Sequence, residues 1–307
     1  MSALPLNRDI VVAWNWEHDV ELVADLEAAC CGLGLTFGSV TPETVDELLA
    51  AASSGGVRWG VLLDRAWESD ARFRRLNDLV AASGTRLANP PERSLRMGNK
   101  ATLHPLLQAA GVPVPRAIDV LPAEWSVERI QAEAASWRRP LWLKPANSGG
   151  GDGVTALAEI PDRFPLGPEW AAERCVLQED ATPMTLGGTP AWFRVFLVFG
   201  TPHIFWWHPG THLFRCVAEG ECAREDLACV ADTAAAVAAL AGMEIFSCEI
   251  ALVAPERPLV IDPVNDPVDL RRRSRAADGI PDAPLAEMIR ATARGLAGLL
   301  GAPPRSG

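Results

Sequence analysis

Between residues 9 and 91, apolar runs of strand length alternate with amphipathic runs of helix length, and no other feature restricts the fold as strongly. Strands are predicted at 9–14 (DIVVAW), 35–39 and 57–63 (VRWGVLL), with a short one ending at Asn89-Pro90-Pro91. Helices are predicted at 21–33, at 42–53 behind Thr41-Pro42, and at 70–83 before Gly84. Alternation of this kind implies a parallel sheet covered on both faces. The segment, which ends near residue 98, contains neither G-x-G-x-x-G nor G-x-x-x-x-G-K-[ST]. It is therefore not expected to bind a dinucleotide or triphosphate by itself.

The remaining two thirds follow a different pattern. A helix opens at Lys100, a second is predicted at 124–137, and a strand runs into Lys144. Strands follow at 153–157, 174–178, 192–199, 203–207 and 211–217, then a helix at 227–241, strands at 245–253 and 258–262, and a helix at 285–300. Strands in succession with flanking helices imply an α+β architecture, and the tail from residue 302 is expected to fray. At 307 residues and 49% hydrophobic composition the chain can supply two or three domains with cores. A net charge of -11 repels nucleic acid. No apolar run reaches the roughly 18 residues of a membrane span, and no signal core follows the N-terminus, so the expected location is cytoplasmic. Seven cysteines without a C-x-x-C pair are expected to be small buried thiols. His208 and His212 flank a Pro-Gly turn, so they are not expected to share a helix face as a metal pair.

The cations narrow the chemistry. Of 28 lysines and arginines, only Lys100 and Lys144 are lysine, and tyrosine is absent; the pattern reads as a coding bias that spares lysine only where arginine will not serve. A slim ammonium can point at one phosphate oxygen where a planar guanidinium does not fit. Lys144 ends an apolar strand (PLWLKP), and Ser148 with Gly149, Gly150, Gly151 and Gly153 follows at once. Bare backbone amides beside a lysine form either an anion cradle or an ordinary hairpin.

A second constellation is acidic. CEIAL (248–252) and LVIDPVNDPVDL (259–270) are separated by a turn near Pro255, so an antiparallel pairing brings Glu249 beside Asp262. With Asn265 these form hard oxygen donors suited to magnesium; the alternative is a pair of strand ends trimmed with acids. In a regular strand Asp262 and Asn265 point to opposite faces, so the set requires a bulge or a strand ending at Pro263, with Asp266 as the substitute donor. Arg194 lies within WFRVFLVF, where it meets either a structural ion-pair partner or an anionic substrate. The arginines at 271, 272, 273 and 275 form a solvated face, or else one of them, Arg271, holds a substrate carboxylate.

These motifs together resemble the ATP-grasp superfamily, and within it the carboxylate-amine ligases similar to glutathione synthetase and the ribosomal-protein glutamate ligases. The resemblance rests on Asn99-Lys100, LWLKP, GGGDG, VLQED, FRVFLV and the Glu249, Asp262, Asn265 trio. It implies a Rossmann-like domain at 1–98, a small grasp lobe at 99–177 and a large lobe at 178–307. It further implies ATP between the lobes, with Lys100 and Lys144 on its phosphates and the loop 148–153 folded over them. The purine would meet the linker of Gln178, Glu179, Asp180 and Ala181, with Glu179 or Asp180 on the ribose, and Mg2+ would sit on the trio. Arg194 would stabilise the transferred phosphoryl group. The implied partners are a small-molecule carboxylic acid and an amine, possible amino acids or peptides, and the implied reaction is amide formation through an acyl phosphate. A kinase and a non-catalytic nucleotide-binding subunit stand as alternatives, and a homodimer stays open.

Overall fold

The computed structural model describes residues 4–301, so the tail expected to fray from 302 lies outside the described residues. The first segment alternates as the sequence implies: β1 (Asn7–Ala13), α1 (Val20–Gly32), β2 (Phe37–Val40), α2 (Val45–Ser53), β3 (Arg58–Asp64), α3 (Ala71–Ala82) and β4 (Arg86–Ala88). The four strands form one sheet in the order β2-β1-β3-β4, every pairing parallel. Adjacent residues of β1 serve opposite faces. Val11 and Ala13 pack with Val45, Leu48, Phe73 and Leu76 of α2 and α3, while Ile10 and Val12 join Leu22 and Leu26 of α1. Burying each such aliphatic side chain contributes about 1.5–3 kcal/mol.

One helix was not expected. α4 (Pro91–Gly98) starts where the sequence reading places a strand end. Pro91 occupies the first turn, where a missing N–H costs nothing and a fixed φ favours the helix; the two prolines end the strand and also begin the helix. The small lobe then contains α5 (Lys100–Ala109), β5 (Ala117–Val120), α6 (Val127–Glu133), β6 (Leu141–Pro145), β7 (Thr155–Leu157) and β8 (Cys175–Gln178). Its strands pair antiparallel in the order β5-β8-β6-β7. The helix expected at 124–137 is shorter, because Ser126 caps it by accepting from the Arg129 amide at 3.2 Å.

A short hairpin of β9 (Thr185–Leu186) and β10 (Thr189–Pro190) leads into the large sheet. That sheet contains β11 (Trp192–Val198), β12 (Thr201–His208), β13 (Leu213–Cys216), β14 (Ile245–Ala254) and β15 (Arg257–Asn265), in the antiparallel order β13-β12-β11-β14-β15. Helix α7 (Arg224–Ala241) covers one face through Val230, Ala234 and Val237. The other face meets α8 (Asp282–Gly301) at one end and is left open as a cleft at the other. α8 is also the second cover of the N-terminal sheet: Leu285, Ile289 and Leu296 share a core with Ile10 and Val61. Of the cysteines, Cys30, Cys175 and Cys248 are buried as expected, whereas Cys31 and Cys216 are exposed. The latter two sit on a polar helix face and an edge strand, which the count of cysteines could not reveal.

Asn89 joins the N-terminal sheet to the large lobe. Its backbone is left-handed, φ 53°, and its carboxamide oxygen accepts from the amides of Glu244 (2.8 Å) and Ile245 (3.2 Å). The carboxamide nitrogen donates to the Ile245 carbonyl and to Asp266 (2.7 Å). Ser94 donates to the other Asp266 oxygen at 2.6 Å. Asp266 is thus committed to this clasp and faces away from the acidic trio, which corrects its candidacy as a substitute metal ligand. We predict that Asn89→Ala, which strands several buried polar groups and keeps a positive φ, lowers the unfolding free energy by about 2–4 kcal/mol in denaturant titration; an unchanged midpoint contradicts the clasp.

Candidate active site

A cavity of about 920 Å³ lies between the small-lobe sheet and the open face of the large sheet. Trp142 and Lys144 alternate with buried Leu141 and Leu143 along β6, so both reach toward this cavity. The Lys144 ammonium donates to the Ile261 carbonyl of β15 at 3.2 Å and is only 8% exposed. Lys100, in the first turn of α5, donates to the Ser148 carbonyl and stands 4.0 Å from Asp262. The two lysines therefore converge from different elements. Burial pushes the Lys144 pKa down, Asp262 and Glu249 oppose that shift, and Lys100 adds to it.

The acidic trio assembles through an irregularity. Glu249 of β14 pairs with Asp262 of β15, and Ser247 pairs with Asn265, so two steps along β14 correspond to three along β15. This extra residue is a bulge, and β15 continues through Pro263 rather than ending there. Asp262 and Asn265 consequently share a face, with the Asn265 carboxamide donating to Asp262 at 3.1 Å. Arg194, directly across from Glu249 in β11, donates to it and also to the Ser247 hydroxyl at 3.0 Å. Burial raises the Glu249 pKa; Arg194 counters this, and the adjacent Asp262 adds to it. Two partly buried carboxylates, with Asp262 raising the cost of charge on Glu249, fit a hard cation such as Mg2+ beside a carboxamide oxygen.

The glycine loop opens against this site. Gly150 (φ 60°) and Gly151 (φ 84°) line the cavity in left-handed conformations, and Gly149 has open space around it. Gly153 (φ 68°) is different: an added Cβ would lie 2.7 Å from Pro145 and 3.0 Å from Trp170. Three positions thus require glycine for conformation, and one of them also for packing.

The linker after β8 holds its side chains firmly. Glu179 accepts from Arg116 at 2.7 and 2.8 Å and from the Arg138 amide at 3.0 Å; Arg116 above all brings its carboxyl down to about 2. Its side chain is turned out of the cleft, which corrects the expectation that it could grip a ribose. Asp180 lines the cleft and accepts from the Trp142 indole at 2.9 Å and the Thr182 amide at 3.0 Å. Gln178 is buried within β8 and Ala181 is buried beside it. The Ala181 N–H and Glu179 carbonyl have no protein partner among the described residues, leaving one donor and one acceptor on the linker backbone.

Sequence reasoning missed an aromatic stack. The Arg194 guanidinium lies 5.3 Å from the centroid of Trp207. His212 stacks on Trp207 at 5.3 Å, and Phe214 leans on it at 4.7 Å. The pairing Trp207↔Phe214 between β12 and β13 creates this group, and the register of two edge strands is not legible locally. The arginine run is a strap in which Arg271, Arg272 and Arg273 are partly buried and only Arg275 keeps the expected solvated face. Arg272 pairs with Asp25 and Arg275 with Glu21 on α1, and Arg273 donates to the carbonyls of Phe214 and Gly279. Arg271 reaches the cavity rim between Asp269 (2.7 Å) and Asp278 (2.8 Å), above Trp16.

No family model matches the chain, and no curated protein matches it in sequence. Solved structures match along nearly its whole length. The ATP-grasp ligase PsnB with precursor peptide PsnA2 and AMPPNP is similar with a TM-score of 0.61 and 17% identity, covering 95% of this chain and 99% of that one. A RimK-domain ATP-grasp protein from Sphaerobacter thermophilus gives 0.61 and 20%, over 92% and 98%. A D-alanine–D-alanine ligase from Bacillus anthracis gives 0.58 and 14%, over 95% and 98%. The chain therefore has the ATP-grasp fold.

The glycine geometry makes a differential prediction. Gly153→Ala lowers the unfolding free energy by about 1–3 kcal/mol, through its positive φ and the Pro145 contact, whereas Gly149→Ala changes it by less than about 0.5 kcal/mol. Thermal melts of both variants check this; equal effects contradict it.

Proposed function

We propose that this protein is an enzyme, an ATP-dependent carboxylate-amine ligase that forms an amide bond through an acyl phosphate and releases ADP and phosphate. The observation that carries this reading is the convergence of Lys100 and Lys144 with Glu249, Asp262 and Asn265 on one cleft. Residues 1–98 act as a Rossmann-like domain, 99–177 as the small lobe and 178–307 as the large lobe. The unpartnered linker backbone at Glu179 and Ala181 reads the purine edge. Gln178 backs that linker, and Asp180 takes the sugar side. Ser148 and the glycine amides cover the phosphates, which Lys100 and Lys144 neutralise.

Glu249, Asp262 and Asn265 would hold magnesium, which would supply positive charge beside the terminal phosphates. The γ-phosphoryl passes to the acid's carboxylate, and the acyl phosphate formed is then attacked by the amine nitrogen. Most of the catalytic effect is positioning and charge neutralisation. Arg194 is held by Ser247 and flanked by Trp207, so its remaining N–H groups are directed at the transferred group. Arg271, buttressed by Asp269 and Asp278, orients a substrate carboxylate at the rim. The substrates are small acids and amines, amino acids or peptides foremost, since the PsnB structure contains a precursor peptide. The Asp262–Asn265 spacing, which a regular strand would split between two faces, is absorbed by the bulge, which supports a working metal site over a non-catalytic subunit.

An ADP-release screen of amino acids and dipeptides, with hydroxylamine to trap acyl phosphate, tests the reading. ADP release that needs only the acid and leaves a stable phosphorylated product would indicate a kinase instead. Lys144→Ala and Asp262→Ala are each expected to reduce turnover at least about 100-fold, about 3 kcal/mol of barrier, with unchanged circular dichroism. Full activity in either variant refutes the assignment.

A further inference from the structure

Amide formation requires a step for which none of the residues assigned above is suited. An amine near neutral pH is largely protonated, and its nitrogen attacks only after losing that proton. The other ionisable side chains of the cavity have defined partners or the wrong chemistry. Lys100 and Lys144 are cations placed for phosphates, and arginines do not give up their protons. Glu249 and Asp262 form the metal set. Asp180 is held by Trp142 and Thr182, and Asp269 and Asp278 by Arg271.

His212 remains. It lines the cavity on the turn between β12 and β13, and its residue is exposed. Its backbone is left-handed, φ 56°, an arrangement that is strained in a non-glycine residue and recurs at working sites. The turn enforces it: the His212 amide donates to the His208 carbonyl at 2.8 Å, and the Thr211 amide donates to the His208 ring at 3.1 Å. The imidazole stacks on Trp207, the ring that also carries the Arg194 guanidinium 5.3 Å from its centroid. Asp278 faces it from the 266–281 loop. Burial opposes the Asp278 charge, yet the hydrogen bond from Arg271, with His212 nearby, keeps that carboxyl below the usual range. The charged groups around the ring are thus Asp278, Arg271 behind it, Arg194 across Trp207 and His208 on its own turn.

We infer that His212 is a catalytic residue of the ligation step, accepting the proton that the attacking amine must lose. The inference rests on the ligase reading. An ammonium N–H gives its proton to an imidazole nitrogen, and the freed lone pair forms the C–N bond. The bond from the carbonyl carbon to the phosphate oxygen breaks with its electron pair, and the departing phosphate takes the second proton that the nitrogen must lose, so hydrogen phosphate leaves and the neutral amide remains. Asp278 stabilises the imidazolium until its proton passes to solvent.

The test compares wild type with His212→Asn, which tolerates the left-handed backbone, and His212→Gly, which also leaves room for added imidazole. The twenty L-amino acids are offered as acid and amine, and hydroxylamine is offered in parallel as a nucleophile already largely neutral at pH 7.5. Both variants should lose amino-acid ligation by about 10²–10⁴-fold while their hydroxamate formation falls far less, and imidazole should restore ligation in His212→Gly. Ligation at the wild-type rate, an equal loss of hydroxamate, or no rescue overturns the inference. Absence of ADP release by wild type in both assays refutes the ligase reading, and the inference falls with it.

Discussion

One additional residue in β15 decides which chemistry the large sheet can perform. Without the bulge between Asp262 and Asn265, strand alternation would send the carboxamide to the α7 side, and the second carboxylate would lack its neighbour. With it, Glu249, Asp262 and Asn265 form one patch on the open face. Of the two residues between, Val264 turns into the core beneath α7. A local departure from regular pairing therefore satisfies packing on one face and ligand geometry on the other.

The patch is electrostatically unfinished by itself. Burial disfavours the Glu249 charge, and Arg194 offsets part of that cost from across the strand pair. On the facing lobe, burial disfavours the Lys144 charge. Such mutually exposed, opposite deficits across a cleft suit a ligand that carries anionic oxygens together with a divalent cation. The frame that holds them is equally specific. Asn89 fixes the N-terminal sheet to β14, Arg272 and Arg275 tie the strap to α1, and α8 fills the space between both sheets. The strap places Arg271 and Asp278 at the cavity rim.

Much of this was legible in the residues because it follows local rules. The alternating runs of the first segment dictate the parallel sheet, and the turn near Pro255 dictates that Glu249 and Asp262 meet. Two lysines in an arginine-rich chain single out positions that converge on the cleft. What escaped reading depends on partners distant in sequence. Arg272 meets Asp25 across 247 residues, and no pattern near either announces it. The stack of Arg194, Trp207 and His212 depends on the β11-β12-β13 register, and Glu179 is diverted to Arg116, which lies just before β5 and 63 residues earlier. The start of α4 was hidden because Pro91 signals both a strand end and a helix beginning.

The central claim is that two lysines and an oxygen-donor trio enclose one nucleotide. A crystal structure with AMPPNP and Mg2+ tests it most directly. The account predicts a metal ion on Glu249, Asp262 and Asn265 and phosphate oxygens within hydrogen-bond distance of Lys100 and Lys144. Nucleotide bound elsewhere, or a metal coordinated without Asp262 and Asn265, would contradict it.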